Sequence, residues 1–580
     1  MIVIGLNHFT DPSACIMVDG KLLAFAEEER FTRLKNSHNM FPGNSVNFCL
    51  KQAGVSLDEV SMIAVPYDSS FYPWKFMLKM GAEYLKLGAR TGFFRGGSDN
   101  AFEILNIAGT RSGSFIRKYI SDGLLSYKIR GRMPVIKYVD HHVSHAVSAA
   151  YYSGFASALV FIIDGSGEAE TTTIFKFCDG ELRLLEKRQI PHSLGWFYAG
   201  ITDFLGFQAY RSEGKTMGLA PYGMRDDALI EKLGKVLVNP GNRYLIRPEF
   251  LLAGSHSYGV HFSDKMVDLL GAPRHPAEPL TQRHRNIAWA TQYLLEKTVK
   301  EIVDSSIKRY GLKNVCLSGG VAMNCKMNGA ILYETSAENV FVFPAAGDAG
   351  SSIGAACVVS GTEAKEKRAE LRHTYFGPSF SAEEILADLR LSNAEFTRPD
   401  NIAREVAGLL GDGRMVGWFQ GRMEFGARAL GNRSILANPL IPGIKDKVND
   451  VVKFRENWRP FCPSMLNEQR GEYMQKDITS PFMIVAHKLK EKYRAQLSSV
   501  SHIDGSIRPQ TVTKEQNPLY YDLLSEVRAL TGQGILLNTS FNVRGEPIVC
   551  APLEAVRCFY GNGLDALAIG PYLLKKKKIA

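Results

Sequence analysis

Ala158-Leu159-Val160-Phe161-Ile162-Ile163-Asp164-Gly165-Ser166-Gly167-Glu168 is a run of six apolar residues that stops on an acid and two glycines. An unbroken apolar run of that length, bounded by turn residues, reads as a buried strand. The Asp164 carboxylate would then stand at the strand tip, where Gly165 lets a phosphate or metal approach the backbone. The same Asp-Gly pair could equally be a hairpin turn into the next strand-like run, Thr171-Thr172-Thr173-Ile174-Phe175.

The pattern recurs. The apolar run 340–343 is followed by Pro344-Ala345-Ala346-Gly347-Asp348-Ala349-Gly350-Ser351-Ser352 and a helical stretch, which puts a second acid, Asp348, at a strand end. Between the two, a helically spaced segment 286–310 leads to strand 315–317 and then to Ser318-Gly319-Gly320-Val321-Ala322-Met323-Asn324. Strand, paired glycines and helix make a nucleotide-handling arrangement, because the helix N-terminus favours anions. It is neither a dinucleotide-binding Gly-x-Gly-x-x-Gly nor a P-loop. Glu213-Gly214-Lys215 through Gly223 reads as a glycine-punctuated loop that wraps a nucleotide or merely connects elements. The N-terminus alternates short apolar runs around Asp19-Gly20, as a β-hairpin would. A hairpin opening and two acids at strand tips are the signature of actin-like ATPase domains.

Just upstream stands Val139-Asp140-His141-His142-Val143-Ser144-His145-Ala146, continuing into small apolar residues. On a helix, His141 and His145 lie one turn apart and face the same way. Two such imidazoles are a metal clamp or a pair of satisfied core histidines.

The 580-residue chain has room for more than one domain, and its 45% hydrophobic and 22% charged content is ordinary for a globular protein. No apolar run is long enough to span a bilayer, and the first residues lack a secretory leader. Nine cysteines without a Cys-x-x-Cys pair point to reduced thiols and a cytoplasmic location. The net charge of +10 suggests anionic partners. Without a nucleic-acid motif beside it, nucleic acid is not the expected partner. A polar, charged stretch at 361–373 marks a boundary between domains 1–362 and 373–580, and 70–133 reads as a basic, aromatic helical insert that shapes an acceptor pocket.

Beyond the boundary come four basic clusters: 422–434, 453–461, 505–512 and 537–544. Arginines set among Gly, Asn and Ser in loops suit phosphate or carboxylate binding, because a guanidinium fork and short amides together saturate such an anion.

Taken in order, these motifs make the chain resemble the O-carbamoyltransferases of the tobramycin carbamoyltransferase and nodulation-factor carbamoyltransferase type, over almost the whole length and least at 70–133. The resemblance implies an α/β protein. An N-terminal actin-like (ASKHA) domain, similar to the tRNA threonylcarbamoyl-transferase subunit, would be fused to a C-terminal YrdC-like α/β domain. It implies a metal site of His141, His145, Asp164 and Asp348 for a divalent ion, with Fe2+ expected and Mg2+ or Zn2+ as alternatives. ATP or an adenylate would be bound by Lys215, Gly165, Gly319, Gly320 and Asn324. Carbamoyl phosphate would be bound by Arg428, Arg433, Lys453, Arg459, Arg508, Asn538 and Ser540. The implied reaction forms carbamoyl-adenylate from ATP and carbamoyl phosphate, then carbamoylates a hydroxyl of a small-molecule natural product or sugar and releases AMP.

One departure stands near the start. The family's usual opening, His-Asp-x-Ser/Ala-Ala, is here Thr10-Asp11-Pro12-Ser13-Ala14, which leaves His8 and Asp11 as candidate bases. Glu29, Arg33 and Lys35 match the family's charged stretch near the acceptor, with Lys35 followed by Asn36 in place of the usual His. The competing readings are a tRNA threonylcarbamoylation-type enzyme and a non-enzymatic nucleotide- or nucleic-acid-binding module. By base rate the expected assembly is a homodimer.

Overall fold

The computed structural model describes residues 1–70, 74–75, 77–78, 112–238, 243–251, 260–361, 369–456 and 458–576. Most of the expected insert at 70–133 lies outside the described residues; its last part forms a helix, Gly113–Ser126. The chain divides into two compact units. The first comprises Met1–His8, Ser13–Leu23 and Phe41–Glu370, and the second Phe9–Pro12, Ala24–Met40 and Leu371–Ala580. The C-terminal edge of the first unit falls in the polar stretch read from the sequence. The N-terminal block is not continuous, however: residues 9–12 and 24–40 count with the second unit.

The first unit uses one topology twice. Strands β1 (Ile2–Asn7), β2 (Ser13–Val18), β3 (Lys21–Glu27), β4 (Met62–Val65) and β5 (Val135–Tyr138) form a sheet of order β3-β2-β1-β4-β5. Strands β6 (Ser157–Ile163), β7 (Glu170–Cys178), β8 (Glu181–Gln189), β9 (Asn314–Ser318) and β10 (Asn339–Val342) repeat that order as β10-β9-β6-β7-β8. In each sheet the first strand pairs antiparallel with the second and parallel with the fourth, and the fourth pairs parallel with the fifth. Parallel pairing brings the C-terminal ends of β6, β9 and β10 to one edge of the sheet, where a ligand crevice forms in open α/β sheets.

Helix α1 (His141–Tyr151) is buried at ten of its eleven positions, so its histidines lie in the core. Helix α3 (Ser351–Ser360) packs between β1 and α1, with α2 (Cys325–Glu334) preceding it in the chain. Two glycines permit this. A Cβ on Gly354 would stand 1.7 Å from the Ser144 carbonyl oxygen, and one on Gly5 would stand 2.0 Å from that of Ser352. The sequence-expected loop at 213–223 is instead helical at Glu213–Leu219, continuing as a 3-10 turn at Ala220–Tyr222. Its two glycines are outvoted by good helix formers and by the Glu213 side chain, which accepts from the Tyr210 amide.

The second unit is built on a mixed seven-stranded sheet of β11 (Val416–Phe419), β12 (Arg433–Ala437), β13 (Cys462–Leu466), β14 (Gln510–Val512), β15 (Ile535–Ser540), β16 (Ala566–Ile569) and β17 (Tyr572–Lys575), in the order β14-β13-β15-β12-β11-β16-β17. Strand alternation splits its side chains between two cores. Phe419, Ile435, Met465, Ile535 and Leu537 face one, while Trp418, Leu436, Leu466 and Leu536 face the other. On the second face the apolar surface gives way to Cys462, Ser464, Asn538 and Ser540, which share the parity of Leu466 and Leu536. Among the described residues no helix is long and apolar enough to cross a membrane.

Candidate functional site

In the first unit four donor groups converge. His141 Nε2 lies 3.2 Å from Asp164 Oδ2 and 3.2 Å from His145 Nε2, and Asp348 Oδ1 is 3.7 Å and 3.8 Å from the two ring nitrogens. All four donor atoms lie within 4.8 Å of one another. Each comes from an element that fixes it. Asp140 caps α1 by accepting from the Val143 amide at 2.8 Å, which starts the helix at His141. Asp164 follows the last residue of β6, and its second oxygen accepts from the Gly320 amide at 2.9 Å. The Asp348 carbonyl accepts from Asn7 Nδ2 at 3.2 Å and from Ser351 Oγ at 2.5 Å.

The far ring nitrogens are also held. His141 Nδ1 meets the Pro66 carbonyl at 3.1 Å, which makes it a donor and leaves Nε2 facing Asp164 and His145. His145 Nδ1 meets Ser318 Oγ at 3.1 Å. Such outer partners fix tautomer and ring orientation at metal sites. The Tyr67 ring stacks on His141 with centroids 4.7 Å apart, and its hydroxyl is 3.5 Å from Asp348 Oδ2. Burial works to lower the His141 pKa, but the hydrogen bond to Asp164 and the nearby Asp348 outweigh it and push the pKa up to about 9. Burial raises Asp164, and the three histidines around it reverse the sign and hold its pKa below the usual range. Two neutral nitrogens and two carboxylates so placed match a divalent first-row ion, so the residues present fit the metal that the sequence implied.

Around this centre the nucleotide-loop residues divide. Gly319 has φ +89°, and a Cβ there would meet the Ile163 carbonyl oxygen at 2.5 Å, so its glycine is required by the packing of β9 against β6. Gly320 supplies an amide to Asp164. Gly165 is packed against Gly195, where a Cβ would stand 2.8 Å from the Gly165 Cα. Asn324 caps α2, and its side-chain amide is used in both directions by Gln292, at 2.9 and 3.0 Å. Lys215 places its ammonium 5.5 Å from the centre of the Phe207 ring.

In the second unit the polar end of the sheet face gathers cations. The Lys453 ammonium donates to Asn542 Oδ1 at 2.8 Å, to the Asn542 carbonyl at 3.0 Å and to the Ser540 backbone carbonyl, with Ser540 Oγ at 3.4 Å. Arg508 donates from Nε and one terminal nitrogen to Cys462 Sγ at 3.1 and 2.9 Å. Arg455 lies over the Phe461 ring at 4.2 Å and donates to Asn449 Oδ1 at 3.0 Å. Burial first, and then Arg455 and Arg459, drive the Lys453 pKa well down. Burial, Arg459 and Arg508 bring Arg455 down to about 9. Burial and then Arg508 and Arg544 lower Arg459, despite Glu456 at 3.8 Å. Cations that depress one another in this way form a site waiting for an anion.

Arg433 stands apart from that group. Its guanidinium is fully buried and donates to the carbonyls of Gln420, Gly421, Asn432 and Pro378 at 2.6 to 3.3 Å, with Phe419 beneath it at 3.7 Å. Its terminal nitrogens hold the loop 420–433 and the Pro378 carbonyl, while Nε is buried with no hydrogen-bond partner among the described residues. Arg428 lies half-buried in the same loop. The acceptor-side candidates separate as well. His8 is buried in the first unit, 5.4 Å from the Tyr119 ring. Asp11 belongs to the second unit and accepts from Asn36 Nδ2 at 2.6 Å. Lys35 is in the second unit, its pKa lowered by burial and in part by Arg459. Arg33 donates its fork to the carbonyls of Ile548 and Pro547 at 2.7 and 2.8 Å, a structural use. Glu29 Oε2 accepts from the Asn36 amide at 2.7 Å.

The sequence reading missed Tyr67, Ser318 and Glu168 at the first centre and Arg455, Cys462 and Asn542 at the second. Glu168 is buried and accepts from the backbone amides of Asp68 and His141 at 2.5 and 3.2 Å. Arg455 and Asn542 sit inside basic clusters that the sequence had singled out, so position could have found them. Nothing in the sequence marks Tyr67, which is brought in by the β4 tip alone.

Comparison with known proteins follows the same two units. The family model described as Carbamoyltransferase N-terminus matches residues 2–357, and the one described as Carbamoyltransferase C-terminus matches residues 407–576. An uncharacterized protein of Synechocystis sp. is 36% identical, over 99% of this chain and 96% of its own length. Nodulation protein NolNO of Sinorhizobium fredii is 35% identical, over 98% of this chain and 80% of its own. The 3'-hydroxymethylcephem-O-carbamoyltransferase of Amycolatopsis lactamdurans is 33% identical, over 44% of this chain and 47% of its own. With both family models matched in order along one polypeptide, the chain belongs to the carbamoyltransferase family, a class of enzymes.

Proposed function

We propose that this carbamoyltransferase is ATP-dependent, uses carbamoyl phosphate, and forms a carbamate ester on a hydroxyl of a small natural product or sugar. The observation that carries the reading is the convergence of Lys453, Arg455, Arg459 and Arg508 in the second unit. One buried and three part-buried cations suit a small dianion whose leaving phosphate must be stabilised. The twice-used strand order supports an actin-like first unit, and the mixed sheet with its cationic face supports a YrdC-like second unit.

In the second unit Lys453, Arg459 and Arg508 would hold carbamoyl phosphate. Water takes the phosphoryl group of carbamoyl phosphate away as phosphate, and the carbamate so freed attacks the α-phosphorus of ATP, forming carbamoyl-adenylate as pyrophosphate leaves. In the first unit the strand-tip edge beside Gly319 and Gly320 would position the adenylate, and an acceptor hydroxyl attacks the carbamoyl carbon as AMP leaves. His141, His145, Asp164 and Asp348 would hold a divalent ion, Fe2+ by resemblance, which supplies Lewis acidity and a template for phosphate oxygens when bound. Asp11 and Lys35, members of the second unit, serve better near the carbamoyl-phosphate cations than as acceptor bases, which leaves His8 as the base candidate in the first unit.

The test is AMP release measured with and without carbamoyl phosphate. Arg508→Ala should lose at least about a hundredfold in that activity, the cost of removing a charged contact to a reacting anion. Unchanged turnover in this variant would end the assignment of the second site.

A further inference from the structure

The helix Gly113–Ser126 is seated by one face only. Ile116, Ile120, Gly123 and Leu124 are buried, and a Cβ on Gly123 would stand 2.5 Å from the Phe41 ring, so that side lies hard against the rest of the first unit. The outer stripe carries Phe115, Lys118, Asp122 and Leu125, all exposed, at the i, i+3, i+7, i+10 spacing that keeps side chains on one face. Phe115 is 42% exposed and Leu125 62%. A helix meant to face water alone would carry polar residues at those two positions.

Cations surround the apolar pair. Arg117, Lys118, Lys128, Arg130 and Arg132 are exposed, and none of them forms an ion pair among the described residues. Against these five, the stretch 113–132 sets one acid, Asp122. Exposed apolar residues continue past the start of the helix. A Cβ on Gly113 would stand 3.1 Å from Ser69 Oγ, and the chain runs on from Ser69 to Trp74 and Leu78, which are 73% and 74% exposed. A lone exposed leucine or phenylalanine is ordinary on a protein surface; several together among unpaired cations are not.

We propose that this face docks the first unit on an anionic lipid surface, with Phe115 and Leu125 inserted at the boundary between headgroups and acyl chains and the five cations over the lipid phosphates. Lysine and arginine suit that place because their stems lie along apolar surface while their charged ends reach the phosphates. The charge complementarity is with a polyanion, and the apolar stripe decides which one. A nucleic-acid backbone is held by cations alone, whereas exposed Phe and Leu gain only where there is apolar matter to enter. Docking of this kind needs no membrane-spanning helix.

Sedimentation of the full chain with vesicles tests it. At about 0.1 M salt, vesicles of phosphatidylcholine and phosphatidylglycerol in equal parts should bind at least about tenfold more tightly than phosphatidylcholine alone, since each cation near an anionic surface contributes. Near 1 M salt, where the screening length falls to about 3 Å, that preference should vanish. Phe115→Ser/Leu125→Ser alters exposed positions only, and should weaken anionic-vesicle binding at least about fivefold with the thermal melt unchanged. Should that variant melt early, Arg117→Gln/Lys118→Gln/Arg130→Gln decides, with a loss of at least about tenfold at low salt expected. Equal binding to both vesicles, or to neither, would overturn the proposal. Anionic binding undiminished in both variants would overturn it as well, because another face would then be responsible. So would a serine variant that binds vesicles like wild type while the glutamine variant loses vesicles and polyuridylate alike, since the face would then attract any polyanion through charge alone.

Discussion

The two sites are built on opposite electrostatic deficits. In the first unit, buried lone pairs face each other: two imidazoles and two carboxylates within 4.8 Å, which hold a proton on His141 with a pKa up to about 9. In the second, the buried Lys453 and the part-buried arginines around it push protons off, with Lys453 well below its usual range and Arg455 at about 9. The second carries the strain of like charges brought together, which a fold tolerates where a ligand of the opposite sign removes it. In the first, the carboxylates and the imidazoles stabilise each other around a proton. On these signs we propose a cation for the first site and an anion for the second.

The sharpest way to break this comparison is to ablate each site and read both. A His141→Ala/His145→Ala double variant loses both nitrogen donors. Its divalent metal content, by elemental analysis of purified folded protein, should fall from about one ion per chain to near zero, since three or four ligands make a structured site and two do not. Its phosphate binding should stay within about twofold of wild type. Arg508→Ala should show the mirror image, with metal content kept and phosphate binding lost. Metal retained in the double variant would sink the donor-set reading.

Much of this contrast was legible in the sequence, and the reasons are local. Asp164 and Asp348 could be found because an apolar run ending in an acid has one geometric meaning, a side chain at a strand tip. His141 and His145 could be paired because i and i+4 share a helical face. The 453–461 and 537–544 clusters were visible as basic loops. What stayed hidden depended on which chain segments meet. Arg433 reads like its neighbours in sequence, yet its two terminal nitrogens are spent on four carbonyls. Residues 24–40 follow the first hairpin and so read as part of the first domain, but Arg30 donates to the Gly426 carbonyl at 2.9 Å and Glu27 accepts from the Gly426 amide at 2.8 Å. Those partners lie about 400 positions away, beyond the reach of any periodicity or spacing argument. The helix at Glu213–Leu219 was missed for a simpler reason: two glycines in seven residues outweighed the remaining propensity on paper but not in the packed unit.

A smaller effect sharpens the sign of the contrast. His141, held protonated up to about pH 9 by its carboxylates, must give up a proton when a cation takes its Nε2 lone pair. Lys453, depressed by burial and by Arg455, regains affinity for its proton when a dianion arrives. Titrations at one pH in buffers of different ionisation enthalpy should therefore show release of up to about one proton with Mn2+ at pH 7.5, and net uptake with inorganic phosphate at pH 9. Release in both titrations would contradict the opposite-sign picture.

The smallest predicted effect concerns how the first site is held rather than what it holds. Tyr67 touches the centre in two ways, a ring 4.7 Å from the His141 ring and a hydroxyl 3.5 Å from Asp348 Oδ2. At 3.5 Å the hydroxyl contact is at the weak end of hydrogen bonding, whereas the stacked ring fills the space beside a fully buried imidazole. Tyr67→Phe keeps the ring and should weaken divalent-metal binding by less than about threefold. Tyr67→Ala removes the stacked ring, leaving the Pro66 carbonyl as the partner of His141 Nδ1, and should weaken metal binding roughly tenfold, the lower end of what outer partners contribute at metal sites. Were the Phe variant to fall as far as the Ala variant, the hydroxyl would be the orienting group, and Asp348 rather than His141 would be the donor that Tyr67 positions.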